Sequence, residues 1–179
     1  MTLEIEKTYI EDLFLVKPHI FSDFRGIYRK NYEISFFKKI GIDLSVSESS
    51  DIFSDKGVIR GLHYQTYDSQ AKLVRVLRGK VFDVAVDMRP NSKTYMKTFS
   101  AILDDKNYVG MFIPKNFAHG YLSLEDKTIF SYLSFGEYRP EFCGGLRWDD
   151  PKLDIFWPFS DYNIQSPILT EKDKNWNFL

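Results

Sequence analysis

The chain has 179 residues, a length that at roughly 150 residues per domain predicts a single domain spanning 1–179. Its 24 Lys and Arg against 25 Asp and Glu leave a net charge of −1, without the basic excess of a general nucleic-acid binder, and its one cysteine, Cys143, excludes an internal disulfide or a cysteine-rich zinc site. No apolar run approaches the roughly 18 residues of a membrane span, and Met1 to Ile10 carries Glu4, Glu6 and Lys7 where a signal peptide would be apolar, so a soluble cytoplasmic protein is expected.

Taken in chain order, Ser35 to Gly41 reads as a short helix closed by glycine. Strand-like runs follow at Val58–Tyr64 and then from Lys72 to Arg89. There, period-two residues break at Arg78-Gly79-Lys80, which predicts a hairpin. Further runs lie at Thr98–Leu103, Tyr108–Ile113, Gly120–Leu124, Thr128–Leu133 and Ile155–Trp157. Thr170-Glu171-Lys172-Asp173 resembles a capping box with Asp in place of Glu. Short strands punctuated at regular intervals predict a mainly β protein, a jelly roll or barrel with a few short helices. The aromatic content is high: 16 Phe, 11 Tyr and 3 Trp form 17% of the chain, enough for a large core and for walls against a flat ligand.

The histidines are His19, His63 and His119, the last two in glycine-bearing contexts beside strands. A neutral imidazole is the natural general base near pH 7, although an isolated histidine is more often a hydrogen-bonded core residue. Metal catalysis would need three or four ligands at workable spacing. His63 is followed two residues on by Gln65, and His119 has no histidine neighbour, so no metal is expected. Cys143 lacks a local base signature and reads as a small apolar residue. No Walker or Rossmann glycine loop is present.

Several blocks then carry a resemblance: Phe21 to Gly26, Gly57 to Gln65, Ala71 to Asp87, Ile113 to Gly120, and Gly145 to Pro151. In this order, over about Val16 to Asp173, the chain resembles the dTDP-4-dehydrorhamnose 3,5-epimerase family. The resemblance implies a cupin-type jelly roll, a homodimer without metal or other cofactor, and a nucleoside-diphosphate 4-keto-6-deoxy sugar as substrate. It also implies work on an activated L-sugar for surface polysaccharide, with no nucleic acid or membrane as partner. The family's reaction removes a hydrogen beside the C4 ketone and returns a proton on the opposite face, inverting C3 and C5. That requires a base, a positive partner for the enolate, and an acid across the ring.

By resemblance the base is His63 and its orienting carboxylate is Asp173. Lys72 lies beside the ketone oxygen, and Tyr132 delivers the proton from the far face. His119 with Asp83 forms a second, supporting pair, and Arg25 and Arg60 hold the pyrophosphate and sugar. Gln65, Tyr28, Glu48, Ser50, Glu137 and Tyr138 complete the implied substrate-binding positions. The departures fall among these. Glu137 replaces the first of two consecutive tyrosines, Lys30 stands where glutamate is common, and Glu48-Ser49-Ser50 replaces Gln-Asp-Asn. A carboxylate at 137 could favour guanine, whose N–H and amino group form a donor pair, or could instead point to solvent or pair with Lys30 across the site. Other readings are the same chemistry on a GDP- or CDP-linked sugar, inversion at C3 only, and a non-catalytic sugar-binding cupin.

Overall fold

A computed structural model describes residues 2–43 and 45–179. The elements run β1 (Glu4–Lys7), β2 (Phe14–Lys17), β3 (His19–Asp23), β4 (Gly26–Lys30), α1 (Ile34–Lys39), β5 (Glu48–Ser54), β6 (Ile59–Gln65), β7 (Ala71–Arg78) and β8 (Lys80–Asp87). After them come β9 (Thr98–Asp104), β10 (Gly110–Ile113), β11 (Phe117–Ser123), β12 (Thr128–Phe135), β13 (Cys143–Gly145) and α2 (Glu171–Lys174). One antiparallel sheet has the order β1-β2-β10-β7-β12-β5 and the other β13-β6-β11-β8-β9, while β3 and β4 form a separate two-stranded hairpin.

The two sheets face one another across a core of Val74, Val76, Met111 and Phe130 from the first and Val81, Ala85, Leu103, Phe117 and Tyr121 from the second. The outer faces are also covered. Phe37 of α1 packs with Leu73, Phe112 and Phe135 behind the first sheet. Behind the second, Leu146, Leu153 and Trp157 pack on Ile59, Val84, Val86 and Leu122. Burial on both sides explains why β8 reads as an almost unbroken apolar run rather than a clean alternation.

The hairpin expected across Lys72 to Arg89 does not form. β7 pairs with β10 and β12, β8 pairs with β11 and β9, and the break between them is the corner where the chain changes sheets. Gly79 turns that corner at φ +82°, where a Cβ would lie 2.6 Å from Thr128 Oγ1. Period two identifies a strand but not its partner, so a tight turn and a sheet-switching corner read alike.

Ile155–Trp157 is not a strand either; it belongs to the irregular cover behind the second sheet, with Trp157 Nε1 donating to the Trp148 carbonyl at 2.9 Å. β1 to β4 are only four or five residues long, and β1, β3, β4 and β5 are largely exposed; β5 reads Glu-Ser-Ser-Asp-Ile-Phe-Ser, poor in β-formers, and is held by pairing with β12. The helix over Ser35 to Gly41 appears as α1, with Gly41 just beyond its end at φ +88°. Among the described residues no helix is long and apolar enough to cross a membrane.

Candidate active site

A cavity of about 410 Å³ opens between the sheets, lined by residues that include Arg60, His63, Gln65, Lys72, His119, Tyr132, Tyr138 and Asp173. The backbone of β6 sets up one wall. His119 pairs with His63, yet Tyr121, two residues on, pairs with Arg60, so three steps on β6 match two on β11. This bulge cancels the alternation that would send Arg60 and His63 to opposite faces. Gly61 and Gly120 permit it: a Cβ on Gly61 would lie 2.5 Å from the Gly120 Cα and 2.8 Å from the His119 carbonyl oxygen.

His63 Nε2 lies 2.6 Å from Asp173 Oδ1, with side-chain exposures of 40% and 4%. The imidazole is thus open to a ligand while its carboxylate is shielded. Burial alone would raise the Asp173 pKa, but the hydrogen bond and charge of His63, with help from Thr170 and Trp176, hold it below the usual aspartate value. Asp173 sits on α2, where its N–H donates to Thr170 Oγ1 at 3.2 Å. Only half of the capping box forms, because the Asp173 carboxylate faces His63 instead of reaching back. One residue serves both as cap position and as partner of the imidazole.

Next to this pair, His119 Nε2 lies 2.7 Å from Asp83 Oδ1, with side-chain exposures of 2% and 0%. Burial pushes His119 below its ordinary pKa despite the opposing Asp83, so its ring is held neutral.

The other sheet supplies Lys72 and Tyr132. On β7 and β12, Lys72 faces Ser134 and Tyr132 faces Val74, which puts both side chains on the face shared with the core residues Val74, Val76 and Phe130. Burial pulls the Lys72 ammonium down, opposed by Cys143, Asp83 and Glu48. Burial also raises Tyr132 well above 10, so the phenol keeps its proton through the neutral range. Its ring packs edge-on against His119 and Phe130, at centroid separations of 5.6 and 5.1 Å. An exposed imidazole and a protonated phenol therefore come from opposite walls, with the Lys72 amine among them. Such a set can take a proton from one face of a ligand and give one to the other.

The remaining positions divide. Arg60 Nε donates to Ser54 Oγ at 3.1 Å and its Nη2 to the Phe53 carbonyl at 3.2 Å, anchoring it at the cavity edge. Gln65 lines the cavity, but its amide is used by the chain: Nε2 donates to the carbonyls of Asp68 and Glu137, and Oε1 accepts from Arg139 N–H at 3.0 Å. Tyr138 separates the cavity from a neighbouring groove lined by Glu48, Glu137 and Ser45 to Ser47. Glu48 is hydrogen-bonded to Ser50, which lies opposite Tyr132 across the β5–β12 pairing.

Glu137 pairs with Arg139 at 3.0 Å with its side chain largely exposed, and Lys30 pairs with Glu33 at 2.9 Å, so of the alternatives for Glu137 the solvent-facing one holds and the pair with Lys30 does not form. Each finds an opposite charge two or three residues away, which costs less ordering than a pair across a cavity. Arg25 and Tyr28 lie on the β3–β4 hairpin, outside the cavity lining; Arg25 pairs with Asp23 at 2.6 Å. Cys143, expected as an apolar filler, lines the cavity with its Sγ 3.7 Å from the Tyr138 hydroxyl. Tyr64, Ser69, Gln70, Thr170 and Lys172 also line it without having been singled out. Only their nearness in sequence to His63, Lys72 and Asp173 could have flagged them.

A β-sandwich cavity with a carboxylate-held imidazole opposite a protonated tyrosine defines an acid–base enzyme acting on a small ligand, without any cluster of three His, Cys, Asp or Glu among the described residues suited to a metal. Residues 7–179 match the family model of dTDP-4-dehydrorhamnose 3,5-epimerase. The enzyme of that name from Methanothermobacter thermautotrophicus is 39% identical over 170 residues, covering 95% of this chain and 91% of that one. The Escherichia coli enzyme is 40% identical over 167 residues, covering 92% and 90%. A solved dTDP-6-deoxy-D-glucose-3,5-epimerase from Legionella pneumophila, in complex with dTDP-4-keto-L-rhamnose, superposes with a TM-score of 0.93 at 35% identity, covering 99% and 93%. The chain belongs to the dTDP-4-dehydrorhamnose 3,5-epimerase family and is a nucleotide-sugar 3,5-epimerase, an isomerase.

Proposed function

We propose that the chain, acting as one catalytic domain in the cytoplasm, converts dTDP-4-dehydro-6-deoxy-D-glucose to dTDP-4-dehydro-L-rhamnose by acid–base proton transfer. The observation that carries this reading is the placement of His63 and Tyr132 on opposing sheets around one cavity. His63 removes the proton beside the C4 ketone, and Asp173 stabilises the imidazolium that results. Lys72 offsets the enolate charge, and Tyr132 returns a proton from the other face. His119, held neutral against Asp83, shapes the wall behind them. Arg60 is the cavity arginine suited to the pyrophosphate.

Thymine is the base read here. Glu137, the departure that could favour guanine, has its carboxylate engaged by Arg139 and is 72% exposed on its side chain. The enzyme works as a homodimer. The β3–β4 hairpin exposes Phe21, Ile27 and Tyr28, and Phe24 is 98% exposed, an apolar arm that a second copy would cover. Arg25, at its tip, would then reach a pyrophosphate only in the other copy's cavity.

The test is incubation in deuterated water with the dTDP-, GDP- and CDP-linked 4-keto-6-deoxy sugars, reading deuterium at C3 and C5 by NMR. Uptake at both carbons with the dTDP sugar is expected. Uptake at C3 alone, or a preference for another nucleotide that Glu137→Tyr abolishes, would replace this reading.

A further inference from the structure

The carboxylate that serves His63 is carried on a helix of four residues, too short to hold itself in water. Something outside α2 must fix it, and the surroundings of Asp173 identify the group. The Trp176 indole Nε1 donates to Asp173 Oδ1 at 3.4 Å, the same oxygen that lies 2.6 Å from His63 Nε2. The indole in turn rests on Gly145, where a Cβ would overlap its Cε2 and Nε1 and lie 2.5 Å from Cδ2. Gly145 is the β13 residue paired with His63 on β6. The strand bearing the imidazole thus abuts the backbone that seats the indole, and the indole holds the imidazole's carboxylate. The Trp176 ring stands edge-on to His63 at 6.4 Å, and the ammonium of Lys172, on α2, lies 5.2 Å from its centre. Trp176 does not line the cavity.

We propose that Trp176, seated on the bare backbone of Gly145, is a positioning residue for the His63–Asp173 pair. Gly145 is not in the left-handed region that only glycine adopts readily, so an added methyl acts there by displacing the indole it would overlap. This inference rests on the reading of His63 as the base.

It makes four linked expectations. Trp176→Ala lowers kcat by about ten-fold with KM little changed, because a misplaced carboxylate costs orientation rather than binding. Gly145→Ala does the same while leaving the indole N–H in the chain. The double variant is no worse than either alone, since the two changes break one contact. Trp176→Phe, which keeps a ring on Gly145 but has no N–H, gives a smaller loss and serves if the alanine variant folds poorly.

A readout independent of turnover is the indole N–H resonance that vanishes in Trp176→Phe; it should shift when Asp173 is replaced by Asn. Additive losses in the double variant, a rise in KM without a fall in kcat, or an indole resonance unmoved by Asp173→Asn would overturn the proposal. Should His63→Asn retain full turnover, the base reading fails while the resonance still reports the Trp176–Asp173 contact. If His63→Asn is inactive but neither Trp176→Ala nor Gly145→Ala lowers kcat, the positioning role alone fails.

Discussion

The cavity holds two histidine–aspartate pairs on neighbouring positions of β6 and β11, with nearly the same contact: 2.6 Å for His63–Asp173 and 2.7 Å for His119–Asp83. Their surroundings separate them. His63 is 40% exposed and takes its carboxylate from a helical turn near the end of the chain, whereas His119 is 2% exposed and its carboxylate belongs to a central strand. A proton acceptor must meet its ligand, so equal hydrogen bonds do not make equal catalysts. The open pair can exchange protons with a substrate. The sealed pair, with its imidazole driven neutral by burial, is built to hold a wall in place.

This comparison can be pressed at several points. After loss of His63 itself, the largest effect is expected at Tyr132, the proposed acid facing the open pair. Tyr132→Phe keeps the ring and removes the proton, so product inverted at C3 only should form, with deuterium exchange retained there. Equal loss at both carbons would show that the tyrosine does not act at one position.

The second effect is on stability. Asp83→Ala strands a buried imidazole nitrogen and should cost about 2–3 kcal/mol in urea unfolding. His63→Gln, at a half-exposed position and with an amide that can still donate to the Asp173 carboxylate, should cost less than about 1 kcal/mol. Equal costs would erase the distinction between sealed and open pairs.

The smallest effect is the acid dependence of stability. Asp173 is held below its ordinary value and Asp87 is brought to about 2, against its burial, by Arg89, Ser92 and Thr94. Lowered carboxylates contribute stability above their unfolded values and lose it as pH falls through the folded ones. Stability should therefore decline below about pH 4 and go on falling toward pH 2. Asp87→Asn should flatten the lower part of that slope; an unchanged slope would show that Asp87 does not contribute to it.

Much of this arrangement was legible in the sequence, in uneven ways. Strands carrying apolar alternation, such as Val74 to Val76 and Phe130 to Tyr132, were found because burial of one face imposes period two. β5 was not, since a polar edge strand leaves no such trace. The corner at Gly79 read as a hairpin because local pattern carries no record of the partner strand. His63, Lys72, Tyr132, His119 and Asp173 converge in the cavity or its lining; the two histidines stand out by their chemistry, and the roles of all five come from the family resemblance rather than periodicity. Arg25 and Tyr28 do not join them, because a hairpin's placement depends on what it packs against. Trp176 left no signal: its role depends on a glycine 31 positions earlier whose missing side chain makes the seat.

The central claim is that the open pair, and not the sealed one, moves the proton. The direct measurement is deuterium uptake at C3 and C5 of the 4-keto sugar in deuterated water, by His63→Asn and His119→Asn variants shown to be folded by circular dichroism. General acid–base groups contribute about 10²–10⁴-fold, so His63→Asn should reduce uptake at both carbons by at least about 100-fold, while His119→Asn retains it at both. Uptake surviving in His63→Asn and vanishing in His119→Asn would contradict the account.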